Sequence, residues 1–156
     1  MKSVRCVLPT PLGVALAVTA DERGITGAEF VRRKAPETVR YEMPLLREAG
    51  KQVRAYFNKR LRRFDLPLHF EGTELQTDVW LFVSQLETGE IVSYSDLARA
   101  IGRPRAHRGV AAAMGATPID LFIPAHRVVG ADGSVRGAGP TSIRRRLLKF
   151  EGITLR

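Results

Sequence analysis

Three kinds of side chain in this sequence could do chemistry: a histidine, a thiol and a set of arginines. His126 lies in the run Ile123-Pro124-Ala125-His126-Arg127-Val128-Val129. An imidazole is the usual general base near neutral pH, but a lone histidine beside a proline in an apolar strand is more often a satisfied core residue. Cys6 is the only cysteine, in the strand-like segment Val4-Arg5-Cys6-Val7-Leu8, where a small buried residue is the ordinary reading. One thiol makes no intrachain disulfide and no multi-cysteine zinc site. The three histidines have no ligand spacing. No metal and no cofactor is therefore expected, and a metal hydrolase is the weakest class.

The arginines suggest a polyanion. The formal charge is +9 over 156 residues, and cutting the chain at residue 98 separates it unevenly. Residues 1–98 carry 14 Lys/Arg against 13 Asp/Glu, whereas residues 99–156 carry 11 against three. A basic C-terminal part points first to nucleic acid and second to a membrane surface. No apolar run approaches the roughly 20 residues that span a bilayer, and the N-terminus lacks the order of a secretory signal. The expectation is a cytoplasmic protein, nuclear if eukaryotic, with no membrane partner.

The elements that must position these groups follow from periodicity. Val4 to Leu8, Gly13 to Thr19 and Ile25 to Val31 read as strands of a small antiparallel sheet. Leu45, Leu46, Ala49, Val53, Tyr56, Phe57 and Leu61 recur at helical spacing and predict a covering helix over 43–61. Thr73 can cap a helix from Glu74 to about Leu86. Ile91-Val92 is a brief strand, Ser93 or Ser95 caps a helix over 96–101, and Gly102-Arg103-Pro104 is a tight turn. The second helix of the pair runs over 105–114, which completes a helix-turn-helix pattern. Gly130-Ala131-Asp132-Gly133 is a hairpin-type turn and a candidate wing. Ser142 opens a final helix, Ile143 to Phe150. The class is α/β (α+β): residues 1–72 form a sheet-plus-helix domain, and residues 73–156 form a mostly helical winged helix-turn-helix domain.

The second helix of that pair is thin. Ala106, Gly109, Val110, Ala111, Ala112, Ala113 and Gly115 leave it almost without the long polar side chains that read base edges in the major groove. A slim helix suits close approach to a backbone or a narrow minor groove. It equally suits tight packing on a neighbouring helix.

Five ordered blocks then carry a resemblance: Ser93-Tyr94-Ser95-Asp96-Leu97-Ala98, Pro104 to Val110, Ala113-Met114-Gly115, Ile123 to Val129, and Leu147 to Gly152. In order and spacing they resemble the O6-alkylguanine-DNA alkyltransferase family, whose signature reads Ile-Pro-Cys-His-Arg-Val. The first lobe, entered through Thr10-Pro11-Leu12-Gly13, resembles that family's N-terminal domain, so the likeness spans essentially the whole chain. It implies that Arg108 is an arginine finger that enters the base stack from the minor groove, a role suited to a planar cation. Tyr94 matches the tyrosine that crowds the target phosphate and bonds the flipped guanine. His126 and Glu151 match the pair that deprotonates the attacking cysteine through a water. Arg105, Ala106 and Arg127 fall among the DNA-contacting positions, with Arg127 and Arg145 open between structural anchor and phosphate contact. Tyr94, Ala125, Val128 and Gly139 match the lesion pocket.

The departures from the pattern decide the function. Ala125 stands at the nucleophile position, and a methyl group can neither attack an alkyl carbon nor accept it. Thr117 replaces a bracing asparagine, and Gly139-Pro140-Thr141-Ser142 replaces the usual Gly-Gly-Leu. Three readings stay open. One is a monomeric lesion-binding protein that flips O6-alkylguanine from double-stranded DNA without transfer and flags it to nucleotide excision repair, as alkyltransferase-like proteins do, usually with tryptophan at the position. The second is a methyltransferase whose acceptor cysteine was replaced by Ala125. The third is a winged-helix DNA-binding regulator sharing the scaffold.

Overall fold

The computed structural model describes residues 2–135 and 142–154. They divide into two compact units: the residues up to Phe70 together with Pro118–Phe122, and Glu71–Thr117 together with the residues from Ile123 onward. Among the described residues no helix is long and apolar enough to cross a membrane.

The first unit is built on an antiparallel sheet, β1 (Val4–Leu8), β2 (Ala15–Asp21) and β3 (Gly24–Val31), in the order β1-β2-β3. β2 starts at Ala15, two residues later than its apolar pattern suggests, because Pro11 to Val14 are taken up in a turn closed on Thr10. Gly24 holds φ +140°, and a Cβ there would lie 2.5 Å from the carbonyl oxygen of Pro67. The segment after the helix therefore passes hard against this turn and bonds to it, through Ile25 N–H to Pro67 O and His69 N–H to Ile25 O, both 2.8 Å.

Helix α1 (Pro44–Phe57) buries Leu46, Ala49, Val53 and Tyr56 in this unit. Its apolar spacing runs on to Leu61, but the helix stops at Phe57 because Lys59 turns into the left-handed region at φ 59°. Pro118–Phe122 belongs to the same core: Asp120 N–H donates to Ala28 O at 2.9 Å, and Phe122 packs edge-on to Phe64 with centroids 4.9 Å apart. Periodicity carried no sign of this return, since five residues are too few to show a period.

In the second unit, α2 (Glu74–Ser84) is held at its start by a full capping box between Thr73 and Gln76. β4 (Val92–Ser93) leads directly into α3 (Tyr94–Ala100), capped by Ser93. After the turn comes α4 (His107–Gly115), two residues shorter at its start than the sequence pattern, since Ala106 is the cap and Arg105 precedes it. Arg103 of the turn pairs with Asp78 at 3.1 Å and Glu74 at 3.3 Å, which ties the helix-turn-helix to α2. Ile123 leads into a 3-10 turn, Ala125–Arg127, and not a strand, and β5 (Val128–Val129) pairs in parallel with β4. The hairpin-type turn closes as expected, through Gly130 N–H to Ser134 O at 2.8 Å and Gly133 N–H to Gly130 O at 2.9 Å. Helix α5 (Ile143–Phe150) starts at the cap Ser142. The three-stranded antiparallel first unit and the mostly helical second agree with the α+β class read from sequence.

Candidate functional site

The site is assembled by a parallel two-residue ladder. Val92 opposes Val128 and Ser93 opposes Val129, so the start of α3, where Tyr94 stands, lies alongside the strand that leaves the Ala125–Arg127 turn. That turn is closed by Arg127 N–H donating to Pro124 O at 2.9 Å. Ala125, His126, Arg127 and Val128 are all buried, whereas Tyr94 is half-buried. Gly139 lies outside the described residues.

His126 is 1% exposed, and its Nε2 stands 2.5 Å from Oε2 of Glu151, whose side chain is fully buried at the end of α5. Arg127 grips the same carboxylate twice, from Nε to Oε1 at 3.0 Å and from Nη2 to Oε2 at 2.9 Å. Nη1 also reaches Leu86 O at 2.6 Å and Nη2 reaches Thr88 Oγ1 at 3.3 Å. With these four bonds inside the protein and only 2% exposure, Arg127 is an internal anchor of the turn. Nothing in the spacing separated anchor from phosphate contact; the discriminating partners, Leu86 and Thr88, are some 40 positions upstream.

Electrostatics follow from this clasp. Burial works to raise the Glu151 carboxyl, but the hydrogen bonds from His126 and Arg127 outweigh it and bring its pKa down to about 2. Burial lowers the His126 pKa; the bond to Glu151 opposes this, and the charges of Arg127 and Arg144 add to it. The stable arrangement is a neutral imidazole donating its Nε2 hydrogen to an ionised Glu151, which leaves Nδ1 as the basic nitrogen. Ala125 precedes His126 in the same turn. Cys6 belongs to the other unit, and burial pushes its thiol up to about 11, so it stays protonated and unreactive at neutral pH.

Helix α4 presents a distinctive surface. Arg108, Ala112, Gly115 and Ala116 are exposed and follow one another along one face, while Val110, Ala113 and Met114 are buried. Arg108 thus projects from a face that is otherwise nearly flat, at the second residue of the helix and close to the exposed Arg105 and half-buried Ala106. The thinness also serves packing. A Cβ on Gly109 would lie 2.6 Å from Leu75 Cδ2, and Trp80 Nε1 donates to Ala113 O at 3.0 Å, so α4 sits directly on α2. The packing reading of the slim helix holds on this face, and the opposite face is exposed. At its far end Thr117 Oγ1 donates to Met114 O at 3.0 Å, and Arg144 donates to the same carbonyl at 2.6 Å. Arg144 therefore braces the helix end, a role its place in a basic run gave no hint of.

Residues 74–153 match the model of the 6-O-methylguanine DNA methyltransferase DNA binding domain, and residues 4–70 match the ribonuclease-like domain of the same enzyme. A methylated-DNA--protein-cysteine methyltransferase of Methanosarcina barkeri is 37% identical, over 96% of this chain and 98% of the relative. The crystal structure of Mycobacterium tuberculosis O6-methylguanine methyltransferase superposes with a TM-score of 0.81 at 31% identity, covering 96% of this chain and 93% of that one. The Mycobacterium tuberculosis protein in complex with DNA gives 0.77 at 33% identity, covering 94% and 91%.

Proposed function

This chain belongs to the 6-O-methylguanine DNA methyltransferase family, and from that premise we propose that it binds O6-alkylguanine in duplex DNA, flips the base toward Ala125 and holds it without transfer. One observation carries this reading: a buried, hydrogen-bonded His126–Glu151–Arg127 clasp lies beside a position that has no nucleophile. Transfer requires sulfur to form a bond to the alkyl carbon as guanine O6 leaves. Alanine offers no lone pair for that bond. The binding parts do not depend on it.

Arg108 is the group that fills the gap left by the extruded base. It is exposed, planar and permanently charged, and the flat Ala112–Gly115 face beside it allows the helix to approach a groove closely. Tyr94 is the residue that crowds the phosphate of the flipped nucleotide, a role supported by its half-buried position at the start of α3. Unstacking costs a few kcal/mol and costs least for a damaged, weakly paired base, which gives the lesion its advantage over guanine. Because the alkyl group stays on the DNA, a later excision step must remove it, and nucleotide excision repair is the class of partner that does so. One chain per lesion is expected. A titration of a duplex holding one O6-methylguanine against the same duplex unmodified tests the reading; tighter binding of the modified duplex supports it.

A further inference from the structure

Counting charge by folded unit reverses the picture obtained by cutting the chain at residue 98. The first unit, residues 1–70 with 118–122, holds 14 Lys/Arg against eight Asp/Glu, and the second holds 11 against eight. The six acidic residues between 71 and 98 had masked this, because they belong to the second unit. The lobe without the helix-turn-helix is the more basic of the two.

Part of that charge is gathered around one open basin. A cavity of about 620 Å³ is lined by Arg5, Arg33, Lys34 and Arg40 over a floor that includes Cys6 and Val7. All four cations are exposed. Among the described residues no carboxylate lines the basin: Glu29 reaches Arg5 only at 3.8 Å, and Glu37 lies exposed in the same loop. Like charges grouped this way repel one another, and a bound polyanion relieves that repulsion.

We infer that this basin is a second nucleic-acid surface, which grips the phosphodiester backbone independently of base identity. The inference rests on reading the chain as a DNA-binding protein. The occupant follows from the donors. They are long, solvated side chains with no buried, fixed polar group among them, and the basin is far larger than one phosphate. A site for a small phosphate ester needs pre-set donors in a closed pocket, whereas a strand of phosphates needs only distributed charge.

The test is the salt dependence of duplex binding by the full chain and by an Arg33→Gln, Lys34→Gln, Arg40→Gln variant. Each backbone contact contributes roughly 0.9 to the slope of log K against log salt, so loss of three should lower the slope by roughly 2 to 3. Affinity for modified and unmodified duplex should fall by the same factor, leaving their ratio unchanged. An unchanged slope overturns the inference, as does saturation of the basin by tripolyphosphate with duplex binding unaffected. The two readings fail separately. Equal affinity of the parent chain for modified and plain duplex sinks the lesion pocket, while the slope comparison still decides the basin. Because the three side chains are exposed, their replacement leaves the core intact, which a matching thermal midpoint verifies.

Discussion

The imidazole of His126 and the carboxylate of Glu151 meet at 2.5 Å, with both side chains shielded from solvent and Arg127 closing the other side of the carboxylate. The clasp joins the end of α5, the Ala125–Arg127 turn and the loop after α2 through Leu86 and Thr88. It is thus a staple of the second unit, and the likeness of His126 and Glu151 to a proton-relay pair asks for a second kind of experiment.

As a staple, the clasp fails if either charge is removed alone. Arg127→Ala leaves Glu151 ionised, buried and without its permanently charged partner, a situation that typically costs about 3–5 kcal/mol. Urea unfolding of the variant should show that loss. Arg127→Ala combined with Glu151→Leu should recover a good part of it, since the orphaned charge is gone.

Acid should loosen the fold in two stages. His126 is held below its ordinary 6.5 in the folded chain, so between the folded value and 6.5 the unfolded chain binds the extra proton. Its contribution is complete above pH 6.5 and is lost as pH falls. Glu151 is held at about 2 against an ordinary 4.5, so its contribution is complete above 4.5 and is lost on the way down to 2. Both act in the same direction. Thermal midpoints measured from pH 8 to pH 3 should decline below 6.5 and again below 4.5, and His126→Gln should remove the first decline.

Arg108 and the cations of α5 should separate specific from general binding. Arg108→Ala should lower affinity for the lesion duplex by roughly tenfold or more, the scale of the few kcal/mol spent on unstacking. Lys149→Ala, at an exposed position of α5, removes at most one backbone contact and should weaken modified and plain duplex alike. Equal losses of lesion preference in the two variants would remove Arg108 from the finger role.

Returning a sulfur to the site asks whether the base still works. In Ala125→Cys the thiol stands next to a neutral His126 whose other nitrogen is fixed by Glu151, so a single stoichiometric transfer of labelled methyl from DNA to the protein is expected. His126→Ala on that background should slow the transfer. Absence of transfer in a folded Ala125→Cys protein would mean that the clasp survives only as a staple.

Much of this was legible in the chain. The three strands, the caps at Thr73 and Ser142, and the run holding Ala125 and His126 announce themselves through alternation, capping residues and a specific signature, whereas the choice between Ser93 and Ser95 stayed open and the helix begins at Tyr94, two residues before its expected start. Family membership was readable from the ordered blocks, and the matched domains agree with it. What stayed hidden are relations between distant positions. Arg127 looked equally like anchor or phosphate contact until Leu86 and Thr88 were found on its far side. Gly109 looked like part of a DNA-facing stripe, yet it is small because Leu75 presses on it. The basic first unit was obscured because a linear cut groups the acidic segment 71–98 with the wrong lobe.

The most direct measurement is equilibrium binding of the unaltered protein to a duplex with a single O6-methylguanine, beside the same duplex with guanine, while the DNA is followed for loss of its methyl group. Tighter binding of the modified duplex with every methyl retained is the expected result. Equal affinity for the two duplexes, or stoichiometric removal of the methyl by a chain whose signature carries Ala125, would contradict it.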